Sequence, residues 1–442
     1  MEYLSAPETG IPSQPAANPR RGMPRWVLLT GAILVVGGAA VAMLLLLGFN
    51  LGPRGLTVGL IAAVLPVPVL VACFLWLDRY EPEPVSYLLF AFAWGAAPAT
   101  LTAYGVNTLA ANVIELPESL VGVLVAPFIE ELMKALGPLL ILWVRRNQIS
   151  GITDGIVYCG LSGVGFAMVE NILYLGGHAF NAGYEQYGPA SGTALVFGLF
   201  IARIFMSGFA HPLFTSMTGL GIGFAARSAN IWVRVLAPIP GLILAMMLHG
   251  SWNLMAILSA GRSPYIFLYG YIAVMVPVFL TMVGIALWVR AHEGRLALKV
   301  LPPYAEAGWF TPPEVASLGT LGRRHAARVW AKRVGGDAGR QAMKDFQFAA
   351  TRLALVRDSF NRGLEPDLVQ QAHSRAEEAG LLQTMSDARY FYAGRDPQMP
   401  PARWDGETYH LVFPDGVLRR VPAPPEPVVP LPIPLSPVVH HY

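Results

Sequence analysis

Residues 119–144 read SLVGVLVAPFIEELMKALGPLLILWV. At about 20 residues per crossing the stretch can span a bilayer, yet its middle carries Glu130, Glu131 and Lys134. An ionisable side chain at the centre of a lipid-spanning helix costs about 2.5 kcal/mol or more unless it faces protein, water, a partner charge or a metal. Three such groups lie in one turn and a half of helix, so this stretch sets both the fold class and the place to look for chemistry.

The apolar pattern continues on either side. Of the 442 residues, 54% are hydrophobic and 13% charged, a balance that excludes an ordinary soluble domain. Apolar runs predict spans over 26–48, 56–77, 86–110, 119–144, 152–176, 193–226, 231–258 and 265–289. The predicted fold is therefore an all-α polytopic membrane bundle of about eight transmembrane helices.

Arginines set the orientation. Arg20, Arg21 and Arg25 precede the first span, Arg145 and Arg146 follow the fourth, Arg227 the sixth, and Arg290 and Arg295 the eighth. The positive-inside rule puts all of these, both termini and the 78–84 loop in the cytoplasm, with Arg54 and Arg262 as minor exceptions. The net charge of +3 is spread over helix ends, so no nucleic-acid-binding face is expected; the lipid bilayer is the expected surroundings. The first run is too long for a signal-peptide core and is read as a retained helix. Cys73 and Cys159 lie inside predicted spans without C-x-x-C spacing, which supports neither a disulfide framework nor a thiolate metal site.

Four segments follow. Residues 1–24, rich in Pro, Ala and Gly, are a disordered leader; 25–290 form the membrane domain. Residues 291–421 are a small cytoplasmic helical C-terminal extension, with apolar periodicity at Val315, Leu318, Leu321, Phe346, Ala350, Leu353, Val356 and Phe360. Its basic run Arg323, Arg324, Arg328, Lys332 and Arg333 reads as a face for solvent or anionic headgroups. Residues 422–442 are a proline-rich tail.

Spans one, two, three and eight contain no Asp, Glu, Lys, Arg or His. The ionisable residues fall in the other four: Glu130, Glu131 and Lys134; Asp154 and Glu170; Arg203 and His211; Arg234 and His249. Asp154 and Arg234 sit near span ends and are expected to snorkel. By helical rise, Glu131 and His211 lie near mid-span, with Glu170 and His249 roughly 7 to 9 Å towards the outer side. Carboxylates and imidazoles converging in an apolar bundle suit a divalent metal such as Zn²⁺, with a free glutamate as general base. The alternative for Lys134 is a structural ion pair at i+3 and i+4 spacing. For His211 and His249 it is a hydrogen bond between helices. Asn253 offers either a helix–helix bond or a donor to an oxyanion.

Small-residue stripes at Cys159, Gly163 and Ala167 and at Gly219 and Gly223 predict close helix contact, and Pro212 predicts a kink beside His211. Three rival readings remain open: a serine protease using Ser162 with His249, a proton- or metal-coupled transporter, and a non-catalytic scaffold. The soluble zinc-protease pattern H-E-x-x-H is absent, because Leu296 follows His292-Glu293 where a second His is needed.

Taken together, Glu130-Glu131-x-x-Lys134, Phe166-x-x-x-Glu170-Asn171-x-x-Tyr174, Arg203 with His211, and His249-Gly-Ser-Trp252-Asn253 resemble the PrsW family of intramembrane metalloproteases, as does the loop Asp78-Arg79-Tyr80-Glu81-Pro82-Glu83-Pro84. The likeness covers about residues 56–289 and extends, more distantly, to type II CAAX prenyl endopeptidases and bacteriocin-processing proteins. It implies a protease of the bacterial cytoplasmic membrane that cuts a membrane-anchored protein, such as an anti-sigma factor; the depth estimate puts the cut in the outer half of the bilayer or just outside it. By that resemblance Glu130 or Glu131 activates water with Lys134 beside it, Glu170, His211 and His249 hold the metal or the nucleophile, and Asn253 stabilises the oxyanion. A glutamate mechanism without metal stays open, as does a cytoplasmic partner for the extension.

Overall fold

The computed structural model describes residues 25–364, 368–393, 395, 402–412 and 417–422. The predicted leader and nearly all of the proline-rich tail lie outside the described residues. Six helical stretches are long and apolar enough to cross a membrane: Trp26–Leu77, Val85–Asn112, Ile152–Tyr187, Pro189–Ala226, Ile231–Gly261 and Tyr265–Glu306. The protein is thus an all-α polytopic membrane bundle, and the elements that position its site are few. They are α1 (Arg25–Val64), α2 (Val67–Leu77), α3 (Val85–Trp94), α4 (Thr100–Asn112), α5 (Ala126–Val144), α6 (Ile152–Ile172), α7 (Ala210–Ala226), α8 (Pro238–Gly261) and α9 (Val276–Val300).

Sequence explains where these helices break. Gly52, with φ +61° just before Pro53, divides α1, because only glycine takes that left-handed backbone without a Cβ clash. The kink expected at Pro212 falls slightly earlier. Residues 207–209 leave the helix, and Pro212 is the third residue of α7, where its missing N–H removes no intrahelical bond.

α6 is the buried axis of the bundle, and nearly every side chain from Thr153 to Ile172 is buried. The predicted small-residue stripes put it there. A Cβ on Gly155 would stand 2.1 Å from the Gly219 carbonyl oxygen of α7, and one on Gly163 would stand 2.8 Å from Pro212 Cα. Two helices can approach this closely only with glycine at the contact. On the outside of the bundle Leu29, Ile33, Leu45 and Phe49 are exposed, Phe49 by 92%, which suits a lipid-facing surface.

Asp154 departs from expectation. It is 3% exposed and its Oδ2 accepts N–H bonds from Ser150 at 2.6 Å and Gly151 at 3.2 Å, so it caps α6 instead of snorkelling.

Beyond α9, the helix α10 (Leu321–Asn361), kinked at Gly336, packs on α11 (Leu368–Arg389). Phe310, Leu318, Phe346, Ala350 and Leu353 lie in its core, the last four at positions of the predicted periodicity. Arg324 is 4% exposed and bonds the carbonyls of Leu318 and Tyr80 and the Thr351 hydroxyl, so it is not part of a solvated basic face. The extension also contains strands that the helical prediction missed: β1 (Ala402–Trp404), β2 (Thr408–Val412) and β3 (Leu418–Pro422), antiparallel in that order.

Candidate active site

Lys134 is the centre of the site. It is 0% exposed, and its ammonium reaches Glu131 Oε1 at 2.8 Å, His211 Nδ1 at 3.1 Å and Glu130 Oε2 at 3.5 Å, with the Phe166 ring 3.9 Å away. An ammonium has three donors, and each meets an acceptor. The ion pair within α5 exists, but it also joins the groups that converge from other helices.

Glu131 is fully engaged. Besides Lys134, it accepts from His249 Nδ1 at 2.9 Å and from the Thr215 hydroxyl at 2.9 Å, at 0% exposure. Thr215 escaped the sequence reading, although its place one turn after His211 on α7 was the available signal. The His249–Glu131 contact puts these residues at one level, so the offset expected from straight spans is absent. Helix positions here shift through π-helical turns over 121–125, 173–181 and 201–206.

Glu170 stands behind His211. Its Oε2 lies 2.8 Å from His211 Nε2 and 2.7 Å from Arg203 Nη2; the Arg203 Nε donates to Asn171 Oδ1 at 3.0 Å and its guanidinium lies over Tyr174. Glu131 and Glu170 therefore each accept an N–H bond from one imidazole, which leaves His249 Nε2 turned to the site and His211 Nδ1 facing the Lys134 ammonium. Carboxylates placed in this way fix the tautomer and orientation of metal-binding histidines.

Glu130 is the acid held least tightly. Its Oε2 is 3.7 Å from His249 Nε2, and its Oε1 is 3.5 Å from Asn107 Nδ2. Glu130, His211 and His249 each place a ligand atom within 4.8 Å of the others. Two imidazoles and one carboxylate are a donor set that Zn²⁺ accepts while keeping a fourth position for water, so the residues fit a divalent ion. The set expected from the sequence had Glu170 in place of Glu130.

Two further predictions meet the structure differently. Asn253 donates Nδ2 to the Gly122 carbonyl at 2.8 Å, the contact of the helix–helix alternative. Ser162 is buried and donates to the Lys134 carbonyl at 2.8 Å, so it does not engage His249 as a serine nucleophile would. Beside the site, a small cleft lined by Asn171, Arg203, Ser207, His211 and Trp252 reaches the His211 ring.

With this geometry in view, residues 83–282 match the model of the PrsW family intramembrane metalloprotease. Those residues form a PrsW-type region. Protease PrsW of Geobacillus kaustophilus is 29% identical over 202 residues, 44% of this chain and 79% of the relative. Those of Clostridioides difficile and Bacillus subtilis are each 28% identical, over 42% and 43% of this chain and 75% and 79% of their own. No solved structure matches. The matched residues include the whole α3 to α8 constellation just described, and the protein is accordingly a membrane-embedded metalloprotease of the PrsW type. The extension lies outside the match.

Proposed function

We propose that this PrsW-type protease hydrolyses a peptide bond of a membrane-anchored protein, such as an anti-sigma factor, with Glu130 receiving the proton of the attacking water. The observation that carries this is the division of labour among the three glutamates. Glu131 and Glu170 are occupied in orienting imidazoles, whereas Glu130 has one oxygen towards His249 and the other towards Asn107. It alone is free to accept a proton and return it to the leaving amine, within the limits of general acid–base catalysis.

His211 and His249 would hold a divalent ion, which we take to be Zn²⁺, with Glu130 beside it and left unbound as the base. When bound, it supplies Lewis acidity and lowers the pKa of a water. Lys134 keeps the buried carboxylates compensated, and an ion on His211 Nδ1 would displace its bond to that nitrogen. Arg203 pairs with Glu170 beneath His211 at 2.7 Å.

The same reading gives about eight crossings. Trp26–Leu77 counts as two, divided at Gly52, and the charged helix α5 adds one to the six apolar stretches. The arginines then put both termini and the extension in the cytoplasm of a bacterial inner membrane, where the extension can meet a cytoplasmic partner.

Cleavage of membrane-anchored model substrates by purified protein tests the proposal, with metal assayed on the same samples. Cleavage is expected to vanish in Glu130→Gln, His211→Ala and His249→Ala, and metal to be lost from both histidine variants. Full cleavage by either histidine variant would overturn the assignment.

A further inference from the structure

The loop Asp78–Pro84 was singled out in the sequence, yet the active site makes no use of it. Its acids gather at the far end of α6 from Glu170. Asp78, Glu83 and Asp154 are 3%, 8% and 3% exposed and place one carboxylate oxygen each within 4.8 Å of the others. Hydrogen bonds occupy one oxygen of each residue. Asp78 Oδ2 accepts the Glu83 N–H at 2.8 Å, Glu83 Oε2 accepts the Tyr158 hydroxyl at 2.7 Å, and Asp154 Oδ2 accepts the Ser150 and Gly151 N–H groups and the Ser150 hydroxyl.

Two observations show that this is more than an acidic cluster. Asp78 Oδ1 is buried with no hydrogen-bond partner, although a buried polar atom is nearly always satisfied. Glu83 and Asp154 also bring carboxylate oxygens within 4.8 Å of each other, an approach that two ionised acids oppose unless a proton or a cation compensates them. Among the described residues no ion pair reaches any of the three. The charges that act on Asp78 are Asp154 and Glu81, both acidic, and Glu293 of α9 adds another acid beside them. The loop's other acid, Glu81, pairs with Arg352 of α10 at 3.0 Å.

We propose that Asp78, Glu83 and Asp154 form a second cation site, distinct from the Glu130–His211–His249 group, that binds a hard divalent ion, Mg²⁺ or Ca²⁺. The donor set is oxygen only and carboxylate-rich, the chemistry of Mg²⁺ and Ca²⁺ rather than of a zinc site built on imidazole or thiolate. The ion cross-links the loop to the first turn of α6, the helix whose other end carries Glu170 and Asn171. Through Glu81 and Arg352 the same loop is tied to the extension.

Terbium luminescence tests this on the full chain in detergent, stripped of divalent ions and excited through the neighbouring tyrosines and tryptophans. A saturable signal is expected that persists in the His211→Ala/His249→Ala protein, which separates it from the active site. Millimolar Mg²⁺ or Ca²⁺ should displace it, and the more potent competitor names the ion. Asp78→Asn should weaken binding at least about tenfold, because affinity follows the number of charged ligands. Glu83→Gln serves as a second variant should Asp78→Asn fold poorly. No saturable signal, or a signal unchanged in Asp78→Asn and Glu83→Gln, overturns the proposal and leaves acids that share protons.

Discussion

The protein buries two groups of carboxylates and compensates them in different ways. In the bundle each of Glu130, Glu131 and Glu170 has a lysine or arginine within 3.5 Å, and two imidazoles join them. At the loop, among the described residues, Asp78, Glu83 and Asp154 accept bonds from N–H groups and hydroxyls and face one another. Hydrogen bonds offset part of the desolvation of an acid, but several buried charges also need counter-charge. The bundle group carries its own, which lets one acid stay loosely held for chemistry. The loop group must obtain protons or a cation from outside the chain.

The widest gap between the groups should be in turnover. Glu130→Gln is expected to lower cleavage about 10³-fold, the middle of the range for a general base, and to shift the melting point little, because its contacts are long. Asp78→Asn should do the reverse and change melting in divalent-containing buffer more than the chemical step. Equal losses of turnover in the two variants would erase the distinction between a catalytic and a structural acid.

Lys134→Met asks whether the bundle group depends on its own cation. Two buried carboxylates and His211 lose a partner together, so a destabilisation of about 3–5 kcal/mol is expected in detergent unfolding. Adding Glu131→Gln should recover part of it, since the orphaned charge is then removed. Strictly additive losses in that cycle would show that the groups do not act as one network.

Much of this contrast was legible in the sequence for a physical reason. Lipid makes Glu130, Glu131, Lys134, Glu170, His211 and His249 costly, so finding them in four adjacent spans was informative without coordinates. Their pairing was not legible. Whether Glu170 or Glu130 joins the two histidines depends on helix rotation and on π-helical turns that no periodicity reveals. Asp154 was passed over because an acid near a span end can reach water. Its capping of Gly151 and the density of acids in Asp78-x-x-Glu81-x-Glu83 were the signals that could have placed it. The strands β1 to β3 were missed because each is only three to five residues long.

Arg203→Lys sharpens the role of supporting residues in the bundle group. Lysine keeps the charge but cannot bond Glu170 and Asn171 together while stacking on Tyr174. Glu170 would remain compensated and His211 less firmly oriented, so turnover should fall about tenfold, as for other residues that orient a ligand, with the fold intact. Loss of folding instead would make Arg203 primarily a strut.

The smallest effect expected is a slope. Without a divalent ion, burial outweighs the hydrogen bonds at the loop and neighbouring acids add to it, raising Asp78 from 3.8 to about 8 and Glu83 from 4.5 to about 10. The folded acids then hold protons that the unfolded chain releases, so their stabilising contribution is complete below about pH 4 and declines as pH rises through about 8 and about 10. In chelated buffer the melting point should therefore fall from about pH 6 to about pH 9. Saturating Mg²⁺ or Ca²⁺ should flatten or reverse that fall, because the ion binds the deprotonated form. Other titrating groups act equally with and without the ion, so the difference between the two curves isolates the loop. Superimposable curves would mean that the protein already neutralises these acids, and the contrast with the bundle group would disappear.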